Sequence, residues 1–142
     1  MNNLEKAIAL ALEAHEGDTD KAGETYIRHP LRLMEQMDTE QERVVAVLHD
    51  VVEDSDYDLE EIREKFGEEV RNAVAALTKA PDDDYLEEYI PNIASNPLAL
   101  KVKRADLKDN LDMTRLSEVD DNILDNVQKY HKSLRKLENT EA

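Results

Sequence analysis

His49-Asp50-Val51-Val52-Glu53-Asp54 places one imidazole and three carboxylates within six residues, directly behind the apolar run Val44-Val45-Ala46-Val47-Leu48. A helix that should face a core thus ends in a cluster of titratable groups. Burying such groups unpaired is expensive, and a divalent metal is the natural compensation. On a helix, His49 and Glu53 share one face and Asp50 and Asp54 the next; Asp106 and Asn110 form a third such pair. His29 projects from a helix start. His29, His49, Asp50 and Asp106 therefore offer two imidazoles and two carboxylates from three segments, a mixed nitrogen and oxygen set that suits Mn, Fe or Zn better than Ca or Mg. A bound metal acidifies water into a nucleophile near neutral pH. Glu53 and Asp54, beside the ligands, are placed to orient that water or shuttle its proton. The plainer alternative is a solvated acidic face, and the apolar helix that leads into the cluster argues against it.

The elements that must position these residues read as a run of helices. Leu4, Ile8, Ala11, Leu12 and His15 share one face of a first helix, with Asn3 as its cap. Gly17 to Thr25 is a polar loop with two of the three glycines. In His29-Pro30 the proline suits the first helical position, which puts His29 at the cap. Thr39-Glu40-Gln41-Glu42 is a capping box for the helix that leads into His49-Asp50, and Asp58-Leu59-Glu60-Glu61 is a second. That second helix stops near Phe66-Gly67. Val70, Ala73, Val74 and Leu77 mark the next, and Pro91 is expected to kink or end a helix. A helix from Pro97 carries Lys103, Asp106 and Asn110. A last one spans roughly Asp120 to Leu137, followed by a frayed tail over 138–142.

At 142 residues and 40% hydrophobic content, one domain with a real core is expected over 1–142. Three Gly, four Pro and abundant Ala, Leu, Glu and Lys favour an all-α fold. The lack of Cys excludes disulfides, thiolate zinc sites and Cys nucleophiles. The first residues lack the basic start of a signal peptide, and no apolar run approaches the ~18 residues of a membrane span, so a cytoplasmic protein is expected. A net charge of −16 repels nucleic acid and anionic lipid, so neither is an expected partner. An anionic substrate would need a local exception: a metal or a small basic patch.

The spacing of His29, His49-Asp50 and Asp106 resembles the HD-domain metal phosphohydrolases. The resemblance narrows with Ala14-His15-x-Gly17, Gly23-x-x-Tyr26-Ile27-x-His29-Pro30, His49-Asp50-x-x-Glu53-Asp54, Leu77-Thr78-Lys79, and Lys103-x-x-Asp106 with Asn110. In this order, across roughly 7 to 115, they look like the hydrolase domain of RelA/SpoT-type alarmone enzymes. The resemblance implies a compact multi-helix HD fold. It also implies Mn²⁺ on His29, His49, Asp50 and Asp106, and catalysis by Glu53 and Asp54. The implied reaction is removal of the 3′-pyrophosphate of guanosine 3′,5′-bis(diphosphate) by a stand-alone small hydrolase. Lys21, Tyr26 and Asn110 fall where that family contacts nucleotide or shapes its pocket. Two segments depart from the pattern. The family loop G-Q-x-R-K-x-G-x-P-Y is here Gly17 to Tyr26, with Asp20 in place of the arginine used against guanine. The family's D-R-L-H-N is here Asp106-Leu107-Lys108-Asp109-Asn110. The metal side is matched while the base-recognition side is altered.

Among the remaining residues, Lys103 is the best phosphate contact, three residues before Asp106 on the same face. Lys79, Lys101, Arg104, Arg115, Arg28 and Arg32 divide between a phosphate pocket and surface ion pairs. His15 is read as packing near the site, His131 as a surface residue, and Asp82-Asp83-Asp84 as a solvated turn. Two other functions remain open: hydrolysis of another nucleotide or small phosphoester, and a catalytically silent metal or nucleotide sensor. The oligomeric state is left open.

Overall fold

The computed structural model describes residues 1–140. Among them are helices α1 (Asn3–Ala14), α2 (Arg28–Glu35), α3 (Glu40–Leu48), α4 (Val51–Asp54), α5 (Leu59–Phe66) and α6 (Glu68–Leu77). A π-helical turn (Tyr85–Tyr89), α7 (Ile90–Ala94), α8 (Pro97–Asn110) and α9 (Asp121–Thr140) follow. No strand occurs among the described residues, as an all-α chain requires. None of their helices is long and apolar enough to cross a membrane.

Local chemistry accounts for most helix starts. Thr39 accepts from the Glu42 N–H and Glu42 accepts from the Thr39 N–H, closing the capping box that starts α3. Asp58 and Glu61 do the same for α5. In α1 the cap is Asn2, paired with Glu5, one residue earlier than the expected Asn3; only Asn2 has the glutamate three positions on that completes the box. Pro91 sits in the first turn of α7, where no N–H is needed, and so begins a helix instead of ending one. Within the tail expected to fray over 138–142, α9 includes residues as far as Thr140; Glu141 and Ala142 lie outside the described residues.

The centre of the molecule is α3. Val44, Val45, Ala46, Val47 and Leu48 are all buried, because α1, α2, α6 and α8 pack around it. Each Val or Leu so buried contributes about 1.5–3 kcal/mol. One buried apolar cluster runs from Ala7 in α1 to Leu137 in α9. The outer helix α9 lies across α7 and α8.

Two local departures matter for function. His29 is the second residue of α2, inside the helix, because Ile27 takes the cap position in an already helical conformation. The α3 helix ends at Leu48, and Asp50 (φ −109°, ψ 0°) breaks the α geometry before α4 starts at Val51. His49 and Asp50 therefore form a hinge between two helices, and the face pairing expected from one continuous helix does not hold.

Replacing Thr39 by Ala removes the cap of the helix that carries His49 at its far end. The expected loss is about 1 kcal/mol, a fall of roughly 3–4 °C in melting temperature by calorimetry.

Candidate metal centre

His29, from the first turn of α2, His49, at the end of α3, and Asp106, in α8, meet in the core. Their ligand atoms all lie within 4.8 Å of one another, and all three side chains are buried. His29 Nε2 stands 2.9 Å from Asp106 Oδ1, and His49 Nε2 3.6 Å from the same oxygen. Asp50, the fourth expected ligand, is outside this set but adjacent: its Oδ2 is 3.0 Å from His49 Nε2 and accepts a very short hydrogen bond from the Tyr26 hydroxyl.

The donor set fits a divalent cation. His49 Nδ1 donates to the Ala46 carbonyl (2.7 Å), one of the carbonyls left over in the last turn of α3. That bond leaves Nε2 to face the carboxylates of Asp50 and Asp106. Nε2 is buried and makes no hydrogen bond of acceptable direction, although two carboxylates are close. A buried imidazole nitrogen beside a carboxylate and a second imidazole fits the donor set of a divalent cation.

Asp106 is the most heavily engaged group. It also accepts from Lys103 Nζ (3.0 Å) and Asn110 Nδ2 (3.1 Å), both one turn away on α8. Burial alone would raise its pKa, but Lys103 and the two imidazoles hold it well below the usual carboxylate range. Lys103 is itself buried, with Nζ 5.5 Å from the Tyr85 ring centre and 5.1 Å from that of Tyr89. Its burial is outweighed by Asp106, and its pKa is raised well above normal. Burial acts to lower His29 and His49, yet their carboxylate neighbours raise both. Asp50 is drawn down to about 2: His49 and the Tyr26 hydrogen bond overcome its burial.

A cavity of about 410 Å³ opens over this centre, within the ordinary range for small-molecule sites. Lys21, Tyr26, Asp50, Glu53, Lys103 and Asn110 line it, so these predicted residues do converge. Tyr26 holds Asp50, and Lys103 and Asn110 hold Asp106. Lys21 reaches across the mouth to the Tyr130 hydroxyl (3.2 Å) on α9. Asp54 does not line this cavity. It faces a shallow acidic hollow beside Glu13 and Tyr57, because the hinge at His49-Asp50 turns Glu53, together with Asp50, toward the cavity. Glu53 Oε1 accepts from the Lys79 N–H (2.5 Å), and burial and Asp50 raise its pKa.

Of the other basic residues, Lys79, Arg32 and Arg115 line the cavity. Lys101 instead pairs with Asp38 and Glu42, and Arg28 with Glu24. His15 is buried against the Tyr26 ring, with centroids 4.7 Å apart, and His131 is exposed. Asp20 does not reach for a ligand with Oδ1, which accepts the Ala22 and Glu24 N–H groups and shapes the loop whose turns use Gly17 (φ +81°) and Gly23 (φ +78°). Asp84, read as part of a solvated turn, caps the π-helical turn that supplies Tyr85 and Tyr89.

Sequence reasoning missed Asp109. It is buried, 2.6 Å from His29 Nδ1, and held by Arg32 through two bonds of 2.9 Å. The signal was present: Lys103, Asp106 and Asp109 recur every three residues along α8. Lys129 and Tyr130, also missed, close the cavity from α9, with Lys129 Nζ 4.6 Å from the Tyr85 ring centre.

Comparison with known proteins agrees with this architecture. A family model described as HD domain matches residues 7–106. The chain belongs to the HD-domain family. It is 34% identical over 119 residues to a guanosine-3′,5′-bis(diphosphate) 3′-pyrophosphohydrolase of Aquifex aeolicus, covering 76% of this chain and 17% of that protein. It is 30% identical over 123 residues to a GTP pyrophosphokinase of Streptomyces coelicolor, covering 78% and 14%. The chain thus spans under a fifth of the length of these relatives. A solved metazoan ortholog of SpoT, described as hydrolysing ppGpp, shares the fold with a TM-score of 0.79, 23% identity, and coverage of 96% of this chain and 85% of that one.

Burial, then Asp50, Glu53 and Asp18, push Asp54 up to about 6 from 3.8. A carboxyl raised in the folded state costs nothing below its unfolded pKa, and the cost grows until it is complete above about pH 6. The shift would be ~3 kcal/mol unscreened; with the side chain 43% exposed, solvent reduces it to about 1 kcal/mol. Asp54→Asn is therefore expected to stabilise the protein by about 1 kcal/mol near pH 7.5 and to change little near pH 4, read from urea unfolding at both values.

Proposed function

We propose that this chain is a metal-dependent phosphohydrolase whose substrate is guanosine 3′,5′-bis(diphosphate), from which it releases the 3′-pyrophosphate. The observation that carries the reading is the buried His49 Nε2 meeting His29 and Asp106, two residues that line the cavity. His29, His49 and Asp106 would hold the cation, with Asp50 as the adjacent fourth donor; the mixed set suits Mn²⁺, Fe or Zn, and the family resemblance implies Mn²⁺. When bound, the cation would polarise a phosphoryl group and lower the pKa of a water, so that its oxygen could attack phosphorus as the bond to the leaving oxygen breaks.

The chain's own residues do the rest. Glu53, on the cavity side of α4, orients the attacking water and takes its proton. Asp54 lies outside the cavity, where burial and the charges of Asp50 and Glu53 raise its own pKa. Tyr26 holds the Asp50 carboxylate in place. Lys21, Arg32, Lys79, Lys103, Arg115 and Lys129 balance the six lining acids Asp20, Asp50, Glu53, Asp106, Asp109 and Asp112. In a chain of net charge −16 this cavity is the local exception that an anionic nucleotide needs. A bound divalent cation makes it net positive. The names of the relatives support the alarmone as substrate.

One observation favours a second reading, the same chemistry on a different phosphorylated nucleotide. Asp20 stands where the resembling family carries an arginine against guanine, and its Oδ1 is spent on its own loop. A silent sensor is the weakest reading, because such a protein has no need for Glu53 in the cavity.

Pyrophosphate release from guanosine 3′,5′-bis(diphosphate) is expected to require added Mn²⁺, to stop with a chelator, and to be lost in Asp50→Ala. Mn²⁺ binding without turnover would move the substrate to another nucleotide. Glu53→Gln is expected to lower kcat by about 10²–10⁴-fold. Because the raised Glu53 must be ionised to act as a base, wild-type kcat should rise with pH above the usual carboxylate range. That rising limb should vanish in Glu53→Gln.

A further inference from the structure

The two histidines of the metal centre are oriented by different means. His49 Nδ1 donates to a free carbonyl of its own helix end, Ala46. His29 has no such carbonyl: it lies at the start of α2, and the carbonyl three residues back, on Tyr26, accepts the His29 backbone N–H. Its ring instead stands between two carboxylates, Asp106 at Nε2 (2.9 Å) and Asp109 at Nδ1 (2.6 Å).

An imidazole that ligates through one nitrogen carries its proton on the other, and the acceptor of that proton sets the ring's orientation. Asp109 is built for that task. It is only 8% exposed, and Arg32 grips it with Nε on Oδ1 and Nη2 on Oδ2, both at 2.9 Å. Arg115 Nη2 approaches Oδ2 at 3.5 Å. A two-point guanidinium grip fixes a carboxylate in angle as well as position. We propose that Asp109 is the positioning residue of the centre: held by Arg32 and Arg115, it keeps the His29 proton on Nδ1 and turns Nε2 toward the cation.

This rests on the metal reading above, and the test separates the two. Mn²⁺ binding to wild type and Asp109→Ala is measured by calorimetry, with thermal melts to show that both are folded. In parallel, ¹⁵N NMR of the Zn²⁺-loaded wild type reports which His29 nitrogen carries the proton. Asp109→Ala is expected to bind Mn²⁺ about 10–100-fold more weakly, and the wild-type spectrum to place the His29 proton on Nδ1. A folded Asp109→Ala with wild-type affinity, or a proton on Nε2, overturns the proposal while leaving the metal reading intact. A wild type that binds neither Mn²⁺ nor Zn²⁺ overturns both. Should Asp109→Ala not fold, the wild-type spectrum decides alone.

Discussion

The structure around the cavity is organised by the cost of burying one carboxylate, Asp106. An ion taken from water into a protein interior loses several kcal/mol of hydration unless partners replace it. Asp106 has them from three directions: Lys103 and Asn110 from its own helix, His29 from α2, with His49 of α3 close by. Each partner brings a further requirement. Lys103, buried in turn, needs the faces of Tyr85 and Tyr89, which explains why a π-helical turn precedes α7. His29 needs an acceptor at its second nitrogen, which brings in Asp109 and then Arg32 and Arg115. A network of this kind is poor economy for stability alone, since apolar side chains would fill the same volume at less cost. On the proposed function, these charges would meet a cation and a phosphate.

The same logic separates the cavity from the surface. Over the chain, acidic groups outnumber basic ones 34 to 18, yet around the cavity the two kinds balance. Most of the acidic excess is solvated at the surface or spent on helix starts, as at Glu42 and Glu61. Such a surface repels polyanions in general, while the charge-balanced lining of the cavity does not oppose a small one.

The two departures from the alarmone-hydrolase pattern acquire physical roles. Asp20 has become a loop-shaping residue whose carboxylate is satisfied by backbone N–H groups. Asp109 is the buried carboxylate against His29 Nδ1, with two arginines gathered around it. Both are aspartates in a cavity that already holds four other acids, and the six lining basic residues come from the α1–α2 loop, α2, the segment after α6, α8, the segment after α8, and α9.

Much of this was legible in the linear chain. Capping boxes at Thr39 and Asp58 and the apolar spacing of each helix reflect interactions between residues three or four apart, so sequence alone determined the all-α class and most boundaries. It also determined the donor types, because His29, His49 and Asp106 announce themselves by residue kind next to apolar helices. The tertiary structure decided which atoms meet. The break at His49-Asp50 puts Glu53 on the cavity side with Asp50 and leaves Asp54 outside it, with α4 packed against α1. Asp109 and His29 are 80 positions apart. Their contact exists only because α2 and α8 are pressed against α3, and no local propensity encodes that juxtaposition.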